Sequence, residues 1–116
     1  MSYQVWLGGP PVRLVMALIA RVLTGKVVLV TGAAGSIVSE LCRQIIRFKP
    51  TLLILFDASE HNLYQVEMEI LHEWGFKDYL PVLGQVQDHG LLEDVFAKYH
   101  PAAVFHAAAY QPMPMV

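Results

Sequence analysis

The chain has 116 residues, of which 55% are hydrophobic and 16% charged, with a formal net charge of −2. That length makes one domain with a real core, and the small negative balance gives no electrostatic reason to expect nucleic acid or an anionic membrane as partner. The single Cys42 excludes an intramolecular disulfide. No uninterrupted apolar run approaches the ~18 residues that a spanning helix needs. The nearest, Val12–Leu23, is broken by Arg13 and Arg21 and lacks the flanks of a signal peptide. A cytoplasmic protein without a membrane span is the expectation.

Taken in order, Met1–Pro11 reads as an irregular lead-in to a single domain spanning residues 1–116. Val12, Val15, Met16, Ile19 and Leu23 form one stripe, which predicts a helix stopped at Gly25. Val27–Val30 is a short β-branched and apolar run of the kind that is buried on both faces of a sheet. From Ser36 the pattern becomes helical, with Ile37, Leu41, Ile45 and Phe48 on one face. Pro50 marks a boundary, and Leu52–Phe56 gives a second strand ending at Asp57. Ser59 opens a helix reaching about Trp74, with Leu63, Val66, Ile70 and Leu71 inward and Gly75 closing it. Tyr79–Leu83 is a third strand. Asp88 caps a helix carrying Leu91, Leu92, Val95 and Phe96, which Pro101 ends. Ala102–His106 is the fourth strand, and residues 111–116 are a tail. Strands alternating with helices predict an α/β fold, a Rossmann-like parallel sheet of about four strands in the order 3-2-1-4 with an extra N-terminal helix.

The stretch between the first strand and its helix carries the chemistry. Thr31-Gly32-Ala33-Ala34-Gly35-Ser36 is a small, glycine-rich turn between a strand and a helix. Such a turn lays backbone N–H groups and a helix N-terminus against a diphosphate. Asp57 stands roughly 20 residues past the glycines, where a carboxylate accepts hydrogen bonds from a ribose. The dinucleotide pattern places a third glycine at position 38, and this chain has Val38. The plainer alternatives are an ordinary βα turn for Gly32 and Gly35 and a helix-capping turn for Asp57. His61, His72, His89, His100 and His106 show no HxxxH or HExxH spacing, so no metal site is expected. Cys42 reads as a buried small residue, and Trp6 and Trp74 as packing anchors.

The segments TGAAGSIVSELCRQI, FDASEHNLYQVEMEI, PVLGQVQD and VFHAAAYQPMPMV resemble successive blocks of the nucleotide-sugar 4,6-dehydratases. These belong to the extended short-chain dehydrogenase/reductase superfamily. The similarity is to the CapD-like, polysaccharide-biosynthesis branch that acts on UDP-N-acetylglucosamine, and it covers the front of such an enzyme. The resemblance implies NAD or NADP as cofactor. Gly32, Gly35, Ser36 and Ile37 match the phosphate-binding turn. Asp57, with Ala58 and Ser59, matches the ribose edge and favours NAD, because a 2′-phosphate beside the carboxylate would be repelled. Gln85 and Val86 match the segment after the third strand, where the family has an acidic residue for the adenine amino group. Ala107, Ala108 and Ala109 match the segment that runs under the cofactor.

Departures from the family pattern are equally specific. Ala34 and Val38 replace two glycines, so either the helix shifts or the pocket is partly filled. Gln85 replaces the acid, and Gln111-Pro112-Met113 replaces Lys-His-Val. The family's Ser/Thr, Tyr or Met, and Lys segment has no counterpart, so no catalytic residue is expected here. Two readings follow. One is an NAD(P)-binding fragment that is catalytically incomplete alone. The other is an engineered or degenerate scaffold that self-associates or binds a protein through its former ligand rim, to which Val38, Gln85, Gln111, Pro112 and Met113 belong. A homodimer is expected either through an open outer edge of the fourth strand or through this apolar rim.

Overall fold

The computed structural model describes residues 3–6, 23–32, 35–85 and 87–106. Within these residues run β1 (Tyr3–Trp6), β2 (Val27–Thr31), α1 (Gly35–Ile46), β3 (Leu52–Asp57), α2 (Glu60–Met68, continued by a π turn over Glu69–Glu73), β4 (Tyr79–Leu83), α3 (His89–Tyr99) and β5 (Ala103–His106). The sheet order is β1-β5-β2-β3-β4, and every pairing is parallel. The four strands expected from sequence therefore lie in the order 3-2-1-4, as a Rossmann-like sheet requires.

Alternation along the strands explains why both faces are covered. Val28, Val30, Leu53, Leu55, Ala103 and Phe105 point to one side, where Val38, Leu41 and Ile45 of α1 and Leu63, Val66 and Ile70 of the α2 segment meet them. The intervening Leu29, Ile54, Phe56 and Val104 point to the other side and pack with Val95 of α3. A period of two in three central strands thus builds two cores, one on each face. Trp74 packs against the first, as an anchor. Cys42 is fully buried there, and burial pushes its thiol up to about 12.

Three sequence expectations change. Residues 3–6 are not irregular: they form β1, with Tyr3 opposite Ala103 and Trp6 opposite His106. Tyr, Val and Trp favour the extended state, and the pairing satisfies backbone groups that β5 would otherwise leave exposed. The outer edge of β5 is therefore occupied, and a dimer expected through that edge finds no open strand there. The helix expected from Ser59 to about Trp74 is α-helical only to Met68. The Trp74 N–H then donates to Glu69 O, five residues back, at 3.2 Å, and the Phe76 N–H to Ile70 O at 3.0 Å. The wider turn keeps Ile70 buried while Trp74 and Phe76 reach the same core. Of the N-terminal helix expected over Val12–Leu23, only Leu23 lies within the described residues, where it is helical and buried.

Leu55 sits in the middle of a central strand with no exposed surface, so Leu55→Ala should cost about 2–5 kcal/mol of stability. The check is urea unfolding, where the midpoint falls and the slope is unchanged. Cys42 should resist a thiol reagent in the native chain and react only on unfolding.

Candidate functional site

All strands run the same way, so their carboxyl ends gather on one rim, and α1, α2 and α3 begin there. Gly32 leaves β2 with φ of 72°, a backbone conformation that side-chain-bearing residues adopt at a cost. Its N–H donates to Phe56 O at 2.8 Å, fastening the end of β2 to the end of β3. Gly35, Ser36 and Ile37 form the first turn of α1 and so stand at this rim, where the positive end of a helix dipole favours an anion.

Asp57 is the last residue of β3 and is half-buried. Its Oδ2 accepts from the Ser59 N–H at 2.8 Å and from Asn62 Nδ2 at 3.4 Å. Ser59 Oγ in turn accepts from the Asn62 N–H at 3.2 Å and caps α2. Asp57 therefore does serve the turn, and this service holds its carboxylate in one orientation. Only Oδ2 is engaged among the described residues, which leaves Oδ1 as an acceptor at the rim.

On the far side, the Gly84 N–H donates to Asp57 O at 2.9 Å and fastens β4 to β3 in turn. A Cβ at Gly84 would overlap a Leu91 methyl and come within 3.0 Å of the Phe56 ring, so a side chain here requires Leu91 to move and crowds Phe56. Between these walls lies a cavity of about 290 Å³, bounded by Gly32, Phe56, Asp57 and Ala58 on one side and by Gly84, Gln85 and Gln87 on the other. Among the described residues that line it, Asp57 is the one charged group and none is Lys or Arg.

A larger groove, about 750 Å³, runs outside the sheet between α2 and β4, past Glu60, Tyr64, Glu67 and Leu83. Tyr64 and Leu83 are exposed there, and burial raises the Glu67 carboxyl above its ordinary range. Size alone would favour this groove. The smaller cavity is the better site, because it lies where the carboxyl ends of three strands converge beside a held carboxylate.

One more contact ties the rim together. Thr31 and His106 are opposite each other in β2 and β5, and Thr31 Oγ1 lies 3.1 Å from His106 Nδ1. Burial lowers the His106 pKa from its ordinary 6.5, so the ring is neutral at neutral pH. This pair sits between the two strands from which the chain diverges, the switch point of such a sheet.

The structure thus brings Gly32, Asp57, Ala58 and Gln85 around one cavity, with Ser59 holding Asp57. Val86, Ala107, Ala108 and Ala109 lie outside the described residues, as do residues 111–116. Val38 neither fills nor lines the cavity: its side chain is 1% exposed and packs into the core between α1 and the sheet. Sequence reasoning missed Phe56, Gly84 and Gln87 as lining residues. The last two stand in the same PVLGQVQD segment that held Gln85, and Phe56 was read as strand core. Among the described residues no group of three or more His, Cys, Asp or Glu side chains could hold a metal. No helix among them is long and apolar enough to cross a membrane.

Residues 28–116 match the family described as "Polysaccharide biosynthesis protein". The chain is 42% identical over 111 residues to the capsular polysaccharide biosynthesis protein CapD of Staphylococcus aureus, covering 95% of this chain and 18% of that protein. It is 38% identical, also over 111 residues, to the probable polysaccharide biosynthesis protein EpsC of Bacillus subtilis, covering 95% of this chain and 19% of that one. The chain thus spans about a fifth of these relatives. Among solved structures, an epimerase from Methanothermobacter thermautotrophicus superposes with a TM-score of 0.57 at 29% identity, over 87% of this chain and 27% of that one. A short-chain dehydrogenase from Mycobacterium smegmatis gives 0.55 at 27% identity, over 72% and 36%.

His106 should titrate below pH 6.5 when followed by imidazole proton NMR in the folded chain; a midpoint at or above that value would contradict its burial. Because folding favours the neutral ring, the stability tied to His106 is full above pH 6.5 and declines as pH falls from there toward the folded midpoint. His106→Asn should remove that part of the acid sensitivity.

Proposed function

The chain belongs to the polysaccharide biosynthesis protein family, and from that premise we propose that it forms the NAD-binding front of a nucleotide-sugar dehydratase of the UDP-N-acetylglucosamine 4,6-dehydratase type. The observation that carries this reading is Asp57, held by Ser59 and Asn62 in the wall of a cavity whose described lining residues include no cation. A fixed carboxylate acceptor suits the two hydroxyls of an adenosine ribose, and no basic group among the described lining residues would offset a 2′-phosphate. The cavity has about 290 Å³ for a base beside the ribose, with the Phe56 ring and Gly84 in its lining.

When bound, NAD would supply a hydride acceptor for oxidation of the sugar. This chain's part is to bind and orient: Asp57 and Ala58 at the ribose, Gly32 and the first turn of α1 toward the diphosphate, and Gln85 at the base. Proton transfer at the sugar is assigned to groups beyond those of this chain, which is catalytically incomplete alone. The neighbouring structures, an epimerase and a short-chain dehydrogenase, support the cofactor class.

Isothermal titration tests the reading. NAD should bind with a dissociation constant in the micromolar range, and NADP at least about tenfold more weakly, a difference of ~1.4 kcal/mol. Asp57→Asn should weaken NAD and narrow the gap between the two. No heat at millimolar NAD from a chain with a native circular dichroism spectrum would overturn the assignment.

A further inference from the structure

We propose that the base subsite of this cavity is read by carboxamides, Gln85 and Gln87, and accepts a 6-oxopurine as readily as adenine. The proposal rests on the dinucleotide reading above and extends it to the choice of base. Of the described side chains that line the cavity, Asp57, Gln85 and Gln87 carry hydrogen-bonding groups. Asp57 is committed to the ribose side, with one oxygen held by the Ser59 N–H and Asn62. Beyond Gly84, the described hydrogen-bonding side chains of the lining are the two amides.

An amide differs from a carboxylate in one decisive respect. An ionised carboxylate only accepts, so it pairs with the amino group of adenine and repels the carbonyl oxygen of hypoxanthine. A glutamine offers a carbonyl and an NH2 side by side. In one orientation it accepts from the N6 amino group of adenine and donates to N1. Turned by half a revolution about its last torsion, it donates to O6 of hypoxanthine and accepts from N1–H. Gln85 and Gln87 are both exposed, so water solvates either orientation and neither side chain is locked. Their backbone is anchored instead: the Gln85 carbonyl accepts from the Asp88 N–H and the Gln87 carbonyl from the His89 N–H, each at 2.9 Å. The turn is held while its side chains stay free to rotate.

The probes are NAD and nicotinamide hypoxanthine dinucleotide, titrated into the wild-type chain and into Gln85→Glu and Gln87→Glu, which keep the shape and remove the donor. The wild type should bind the two dinucleotides within about threefold of each other, and at least one Glu variant should favour NAD by about tenfold or more, as expected for an unmatched charged acceptor. Both positions are exposed, so the variants should melt near the wild type. Wild-type preference for NAD above about tenfold, or an unchanged ratio in both variants, would overturn the proposal while leaving dinucleotide binding intact. Failure of the wild type to bind NAD at all would remove the underlying reading, and this one with it.

Discussion

The sheet does not stop where its strands stop. Past the end of β2, the Gly32 N–H donates to Phe56 O, and past the end of β4 the Gly84 N–H donates to Asp57 O. These two bonds, at 2.8 and 2.9 Å, pull three carboxyl ends into register around a single carboxylate. Each depends on a glycine for a different reason. Gly32 takes a left-handed backbone that strains other residues, and at Gly84 a Cβ would press on the Leu91 methyl and the Phe56 ring.

The rim has its own hierarchy. Asp57 is held from below by the ladder and from the side by the cap of α2, so the same Ser59 that starts the helix also orients the carboxylate. Thr31 and His106 fasten β2 to β5 on the other flank. Val38 shows how a substitution inside a glycine motif is absorbed. Its methyl groups turn into the core with Leu41 and Cys42, and the change is taken up by packing and not by the cavity.

Much of this was legible in the residues. The strands at Leu52–Asp57 and Tyr79–Leu83, and the caps at Ser59 and Asp88, follow from short apolar runs and local side-chain chemistry that need no distant partner. What was not legible depends on distant partners or on phase. The strand at Tyr3–Trp6 is four residues long and is made a strand by Ala103–His106, which it meets across nearly the whole chain. The π turn after Met68 is a slip of phase within a pattern that reads as one helix. In the site, Asp57 and Gly32 announce themselves by type and spacing. Gln87 does not, because it joins the cavity lining only when β4 lies beside β3 and brings Gly84 and Gln85 against Phe56 and Asp57.

Our reading places a dinucleotide in the rim cavity and not in the larger groove at the sheet edge. Amide chemical-shift mapping on the 15N-labelled chain, titrated with NAD to millimolar concentration, tests it most directly. A dinucleotide in the rim cavity should give saturable shifts at Gly32, Ala58, Gly84, Gln85 and Gln87, with Tyr64 and Glu67 unmoved. Shifts confined to Tyr64, Glu67 and Leu83, or none anywhere, would contradict it.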